Sequence, residues 1–407
     1  MHLARTTITL AAAALLTTTL TGATSRATTH RADACTPAWK LAATPVPAAD
    51  YTQLTGPAAV SAKDAWFPGV TYPSTGGTVP WVLHWDGHSL RETATIPQGP
   101  FEIRDAESGS FDSATDGWVL GTATLSGPGP SLYPQYAARW HAGRWTVIPL
   151  AISPHPLATG GLQLEAVTSL SPGDAWAVGR FSAGLLPLGA LVEHWDGSRW
   201  SAVPNPLSST AGAALLSVTA VSAANIWAVG RQQNADGATV PLAEHWNGTA
   251  WSVVSIPAGN APSLLYAVSA DGPDDVWATG ARTQPGTGNV ATGMVEHWNG
   301  TAWGVVTGLP DLGNSELPNV YAASPTDVWT TVYAPRPNTD FGVEEFLHWD
   351  GTSWTTVPVP GPDEYDLDYE YAGLDGSGPG NIWAAGWENH QPGGTTTPLI
   401  AHLSCGS

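Results

Sequence analysis

Val167–Val203 reads VTSLSPGDAWAVGRFSAGLLPLGALVEHWDGSRWSAV. It holds two β-type runs, Asp174–Gly179 and Leu191–Trp195, then an Asp196-Gly197 turn and a third run from Trp200. Each run is short, rich in Val, Trp, Ala and Leu, and bounded by Gly, Pro, Asp or Ser, as strands are. Copies recur along nearly the whole chain. The tryptophan of the D-x-W-A-x-G run falls at Trp66, Trp118, Trp176, Trp227, Trp277, Trp329 and Trp383, spaced by 52, 58, 51, 50, 52 and 54 residues. That of the E-H-W-D-G run falls at Trp85, Trp140, Trp195, Trp246, Trp298 and Trp349, and a third follows five residues later at Trp145, Trp200, Trp251, Trp303 and Trp354, with Leu90 in the first copy.

A unit of about 50 residues with four short β runs has the length of a propeller blade. A run ending near Ser169 supplies strand one, Asp174–Gly179 strand two, Leu191–Trp195 strand three and Trp200–Pro204 strand four. No stretch after residue 30 keeps helical periodicity over three turns, so the chain is expected to be all-β. The seventh copy stops at Cys405 with no fourth strand, and Trp39–Pro45 matches the missing one. The prediction is a seven-bladed β-propeller of four-stranded blades, its ring closed by pairing the N-terminal strand with the C-terminal blade. Aligned on the third blade, Cys35 falls on the column of Asp196 and Cys405 on the neighbouring one, that of Gly197. In an oxidising compartment such a pair forms a disulfide, worth roughly 4–5 kcal/mol in the chain-entropy model for so long a loop.

Residues 1–27 read as a signal peptide: a short polar front with Arg5, an apolar segment Thr7–Leu20 and a small-residue end at Ser25-Arg26-Ala27. Residues 28–34 form a short linker and 35–407 a single propeller. The apolar segment is too short for a membrane span, and no later run is long enough. Losing 1–27 removes two arginines and no acid, moving the formal charge from −20 to −22. So acidic a chain repels nucleic acid, which is bound through cations. A secreted monomer, extracellular or wall-associated, is expected.

Asp64, Asp116, Asp174, Asn225, Asp275, Asp327 and Asn381 stand two residues before each first tryptophan, where they suit a tight backbone turn. Dipeptides such as Asp196-Gly197 suit type I′ hairpins, which need positive φ at both positions. His84, His194, His245, His297, His348 and His402 share one slot on strand three. Equivalent residues of different blades diverge from the axis, so each is expected to make a buried hydrogen bond within its own blade. No metal ligand set and no cofactor is expected.

Alternating strand direction puts the strand two–three and four–one connections on one face, and loops on a rigid scaffold carry binding. On that face Arg180, Arg231 and Arg282 follow strand two in three successive blades, and guanidinium forks suit carboxylate or phosphate. Asp363–Tyr371, DEYDLDYEY, supplies Tyr365 and Tyr369 in a loop entering the seventh blade. Trp81 and Trp387 fall outside the repeat and are candidate sugar platforms or packing residues. Blade one has His88-Ser89-Leu90, blade two His141-Ala142-Gly143, and blade six Val332 where others carry glycine. No nucleophile elbow, zinc helix motif or phosphate loop appears, and catalytic residues are unassigned.

The repeat L-x-A-V-S-x-x-D-x-W-A-V-G … L-x-E-H-W-[DN]-G-x-x-W-x-x-V-x-x-P, running from about Trp39 to Cys405, resembles one found in exported actinobacterial proteins. That family is read as kelch-like or galactose-oxidase-like propellers. The Gly-Gly pair of true kelch repeats is absent, and the copper ligands of galactose oxidase do not map onto this chain. Fold resemblance does not carry activity. The expected function is non-catalytic binding of a glycan or another extracellular protein by the variable-loop face. The alternative is a carbohydrate-active enzyme, a sialidase-like hydrolase or a copper oxidase. An arginine cluster beside a Tyr–Glu pair at the channel favours the hydrolase; Tyr and His converging there favour the oxidase.

Overall fold

The computed structural model describes residues 38–45, 51–74, 76–98, 102–124, 135–150, 161–183, 186–257, 261–283, 291–335, 342–361, 367–390 and 394–404. Among them every regular element is a strand. Four repeats form separate antiparallel sheets of four strands, beginning at Gly161–Ser171, Ala214–Ser222, Ser263–Gly272 and Tyr321–Ser324. A fifth sheet holds Ser108–Ser113, Asp116–Thr124, Gln135–His141 and Arg144–Ile148, with Glu102–Ile103 added beside Asp116–Thr124. The remaining nine strands make one sheet containing two sets of four joined through Tyr51–Leu54. One set runs from Ala58–Ser61 to Leu90–Glu92. The other is Leu367–Gly376, Asn381–His390, Thr395–Ser404 and the N-terminal Ala38–Leu41. Its last pairing is antiparallel, with Ala38 opposite Ser404 and Trp39 opposite Leu403. Trp39 thus takes the place that Trp200 takes opposite Trp195. The strand-one segments surround a cavity of about 420 Å³ lined by residues of all seven sets. The architecture is a β-propeller. Cys35, Cys405 and the segment 1–27 lie outside the described residues.

Several strands run further than their sequence pattern suggests. Strand two of blade three spans Asp174–Ala183 and strand three Leu186–Trp195, so Arg180 sits in a ladder opposite Gln163 and Ala190 rather than in a loop. Arg231 and Arg282 lie likewise in Asn225–Gln233 and Asp275–Thr283, and Tyr369 in Leu367–Gly376. Backbone ladders continue wherever a partner strand continues, whatever the side-chain pattern.

The expected histidine hydrogen bonds are present, and their partners are the residues assigned to a turn. His84 Nε2 meets Asp64 at 2.7 Å, His194 meets Asp174 at 2.9 Å, His297 meets Asp275 at 2.6 Å and His348 meets Asp327 at 2.9 Å. Asn225 and Asn381 serve His245 and His402 at 2.9 and 2.8 Å. Asp174, Asp275 and Asp327 also accept the indole N–H of the tryptophan two residues on. The hairpin between strands three and four is a four-residue loop, not a type I′ turn: Gly197 has φ 90° while Asp196 is not in the positive region. Asp196 Oδ1 instead accepts the backbone N–H groups of Ser198 and Arg199. Blade two has both central residues at positive φ, Ala142 at 51° and Gly143 at 81°.

Between blades, the strand-two indole of one meets the strand-three indole of the next. The pairs are Trp66–Trp140, Trp118–Trp195, Trp176–Trp246, Trp227–Trp298, Trp277–Trp349 and Trp383–Trp85, with centroids 4.9 to 6.1 Å apart. Trp81, 3% exposed, packs in the same interior beside Trp383 and is not a surface platform. Aromatic pairs of this geometry add about 1 kcal/mol each beyond area burial.

Asp174→Ala leaves the Trp176 and His194 donors without their acceptor, and about 2 kcal/mol of stability is expected to be lost. Asp174→Asn, the residue blades four and seven use, is expected to lose less than half of that. Urea titrations of the three proteins test the order; equal losses for Ala and Asn would refute the shared-acceptor role.

Candidate functional site

The glycine after strand two decides where the channel gets its side chains. A Cβ on Gly179 would stand 1.9 Å from the Gln163 carbonyl, and one on Gly386 1.8 Å from that of Glu370. Only glycine lets strand one cross so closely. Strand one bulges just past the crossing, between Leu164 and Ala166, Leu215 and Ser217, and Leu265 and Ala267. The extra residue leaves the ladder at each bulge. Those residues are Glu165, Leu216 and Tyr266, and all three line the channel with Glu107 of blade two.

Arg180 forms an ion pair with Glu165 at 2.9 Å and donates a hydrogen bond to Gln163 at 2.7 Å. Burial raises the Glu165 carboxyl, opposed by the charges of Arg180 and Arg231. The Arg231 guanidinium has no hydrogen bond or ion pair among the described residues, though its charge reaches Glu165 and Tyr266. Arg282 stands one blade further on, where its charge opposes the burial that pushes Glu296 up to about 7. The three arginines therefore do not converge on one point: Arg180 and Arg231 share Glu165, and Arg282 does not join them.

Blade six is built differently. Val332 stands where the glycine should, so its Cβ would collide with a crossing strand, and strand one is cut to Tyr321–Ser324. Asn319 replaces the missing ladder with its side chain, accepting Thr331 N–H at 3.1 Å and donating to Thr331 Oγ1 at 2.8 Å. The displaced segment opens a side pocket of about 430 Å³ lined by Asn314, Ser315, Glu316, Pro318, Glu344, Tyr369, Glu370 and Trp387. Tyr266 donates to Glu316 Oε2 at 2.6 Å, which ties the pocket to the channel wall. Glu344 accepts the Tyr371 N–H. Burial, and then the charge of Glu370, hold the Glu344 carboxyl well above the usual range.

Of the residues singled out from sequence, Tyr369 and Trp387 thus line one pocket, the charges of Arg180 and Arg231 both act on Glu165, and Tyr365 lies outside the described residues. Glu107, Glu165, Tyr266, Glu316 and Glu344 were not singled out, while Glu370 belongs to the Asp363–Tyr371 stretch. The signal for the bulge residues is the variable position just ahead of an otherwise constant frame: Glu165 before Ala-Val, Tyr266 before Ala-Val, Leu216 before Ser-Val. The pocket itself is marked by Val332. Among the described residues no group of three or more His, Cys, Asp or Glu is placed to hold a metal ion, and the strand-three histidines are committed to Asp or Asn.

No protein-family model matches the chain, and no curated protein matches it. Similar solved structures include YCF48 in a peptide-bound form, 14% identical with a TM-score of 0.51 over 90% of this chain and 95% of that one. An ulvan lyase of polysaccharide lyase family PL25 is 9% identical, with a TM-score of 0.52 over 89% and 96%. The GH74 xyloglucanase of Xanthomonas campestris is 12% identical, with a TM-score of 0.50 over 89% of this chain and 55% of that one. At these identities the likeness is one of propeller fold.

Glu107 gives the channel a pH dependence. Its carboxyl is pushed from an ordinary 4.5 up to about 8, first by burial and then by Asp105, against a hydrogen bond from Thr122. The unfolded chain ionises near the ordinary value, so this contribution to stability is full below that value and is lost as pH rises through about 8. The Tm is therefore expected to fall between pH 5 and pH 8.5, and Glu107→Gln to reduce that fall by ~3 °C or more. Parallel Tm–pH curves for the two proteins would exclude the assignment.

Proposed function

We propose that this protein is a secreted, non-catalytic binding propeller that takes a glycan in the side pocket of blade six and the adjoining channel mouth. The observation that carries the reading is the convergence of Tyr369 and Trp387 with Glu316, Glu344 and Glu370 in one pocket. Trp387 offers a flat apolar face to the C–H side of a sugar, Tyr369, 7% exposed, walls the pocket from the core, and a few convergent polar groups fix the sugar's orientation. Carboxylates accept sugar hydroxyls. Three glutamates in so acidic a chain disfavour anionic sugars, which points to a neutral or amino-bearing glycan. Export rests on the reading of residues 1–27 and on the resemblance of the repeat to exported actinobacterial proteins. The closing bond between Cys35 and Cys405 belongs to the same reading.

The fold does not choose between binding and catalysis, since polysaccharide-degrading enzymes and a peptide-bound protein share it. One observation favours a hydrolase: the Tyr266–Glu316 pair at 2.6 Å, with the Arg231 charge acting on Tyr266. The acidic surroundings of that pair, Glu165 and Glu316 among them, oppose the negatively charged substrate of a sialidase.

A glycan array with the mature protein, followed by calorimetry on the best ligand, tests the proposal. Trp387→Ala is expected to weaken binding at least tenfold, about 1.4 kcal/mol, without changing the melting curve. Unchanged affinity in that variant, or capture of proteins and no glycan, would overturn the site. Turnover of chromogenic glycosides that Tyr266→Phe abolishes would put the hydrolase first.

A further inference from the structure

The junction between blades six and seven lacks one indole that every other junction has. Strand three of blade seven carries Leu403 where the others carry Trp85, Trp140, Trp195, Trp246, Trp298 and Trp349. Trp329, the strand-two tryptophan of blade six, therefore meets Trp39 at 5.6 Å and Phe346 at 6.4 Å, but no strand-three indole. A cavity of about 840 Å³ opens there, walled by Trp39, Trp329, His348, Leu403 and the run Val357–Pro360. Pro379 and Gly380 border it as well, with Ser324, Thr326 and Asp327 on its polar side.

The polar end of the cavity is matched to an indole as well. In five other blades the strand-three indole N–H donates to the carbonyl two residues ahead of the strand-two Asp or Asn. The acceptors are Ala62, Ala114, Pro172, Ala223 and Pro325, at 3.1 to 3.3 Å. The equivalent carbonyl in blade seven is that of Pro379, which borders the cavity, and Leu403 has no N–H to offer it. Apolar cavities left by a smaller side chain bind the missing ring from solution.

We infer that this cavity is a recognition site for the indole ring of a tryptophan presented by another polypeptide. The ring lies tilted against Trp329, as most of its equivalents do against theirs, and its N–H donates to the Pro379 carbonyl. The cavity is larger than an indole, and the surplus runs along Val357, Pro358, Val359 and Pro360, a floor for the chain on either side of the tryptophan. The site is separate from the glycan pocket and does not depend on that reading.

Calorimetry of the whole chain with N-acetyl-tryptophanamide tests it, with N-acetyl-leucinamide and the 1-methylindole analogue as comparators. The tryptophan derivative is expected to bind at least tenfold tighter than either, because leucine lacks the ring and the methylated indole lacks the donor. Leu403→Trp fills the cavity from within and is expected to abolish binding while keeping or raising the Tm. Undetectable binding, or binding that Leu403→Trp leaves intact in a folded protein, overturns the inference. So does an affinity for the 1-methyl analogue equal to that of the parent. Free indole binding as tightly as the capped amino acid would assign the cavity to a small aromatic compound and overturn the polypeptide source.

Discussion

The contact on which the fold depends is the stack of rings at each blade junction. A strand-two tryptophan lies on the histidine of its own blade, as Trp176 does on His194 at 4.2 Å, and meets the tryptophan of the next, as Trp176 does Trp246 at 4.9 Å. The same carboxylate, Asp174, holds both rings of the inner pair by hydrogen bonds. Registry within a blade and registry between blades are thereby one problem with one solution. A blade that slipped by one residue would turn its tryptophan to the wrong face and lose both contacts. This explains why polar residues repeat as faithfully as apolar ones: the Asp and His set the height of the indole, and the indole sets the spacing of the sheets.

A second constraint acts nearer the axis. Crossing strands leave no room for a Cβ at Gly179, Gly230 or Gly280, and the bulge that follows turns one residue per blade toward the channel. The scaffold is therefore constant up to the bulge and unconstrained at it, which is why Glu165, Leu216 and Tyr266 differ in every chemical respect while their neighbours do not. Charge placed there is costly to bury. Glu165 is offset by Arg180, and Glu107, with Asp105 beside it, keeps its proton to about 8.

The fold was legible because the outer tryptophans answer to a period and the period is a property of the chain. Trp39 could be placed opposite Leu403 from the missing fourth strand of the last copy, and the ladder has it there. Arg180 and Tyr369 were placed in loops because side-chain pattern stops where the hairpin leaves the core, while backbone pairing goes on to Ala183 and begins already at Leu367. The Asp of each strand-two entry was given to a backbone turn because local and cross-strand partners are indistinguishable in a linear text; its histidine lies twenty residues away. Glu316 and Glu344 carried no sign at all, since neither occupies a repeated slot. The pocket they line was nonetheless announced by Val332, a departure from the glycine rule that reads as drift until the crossing carbonyl is seen.

The two departures of this quarter of the ring act by opposite means. Val332 adds atoms where the repeat forbids them and drives strand one of blade six out of its ladder, leaving a polar pocket beside the channel. Leu403 removes atoms where the repeat requires them and leaves an aromatic cavity at the outer junction of the same blade. Each is met only in part by a neighbour: Asn319 bonds Thr331 in place of the ladder, and Phe346, where Val82, Ala137, Val192, Ala243 and Val295 stand in other blades, packs on Trp39, yet a pocket remains at both places. A repeat protein offers equivalent positions at which packing is already solved, and here the same blade forgoes that solution twice, at the axis and at the rim. That coincidence is the physical reason for placing both proposed sites around blade six rather than at its more regular neighbours.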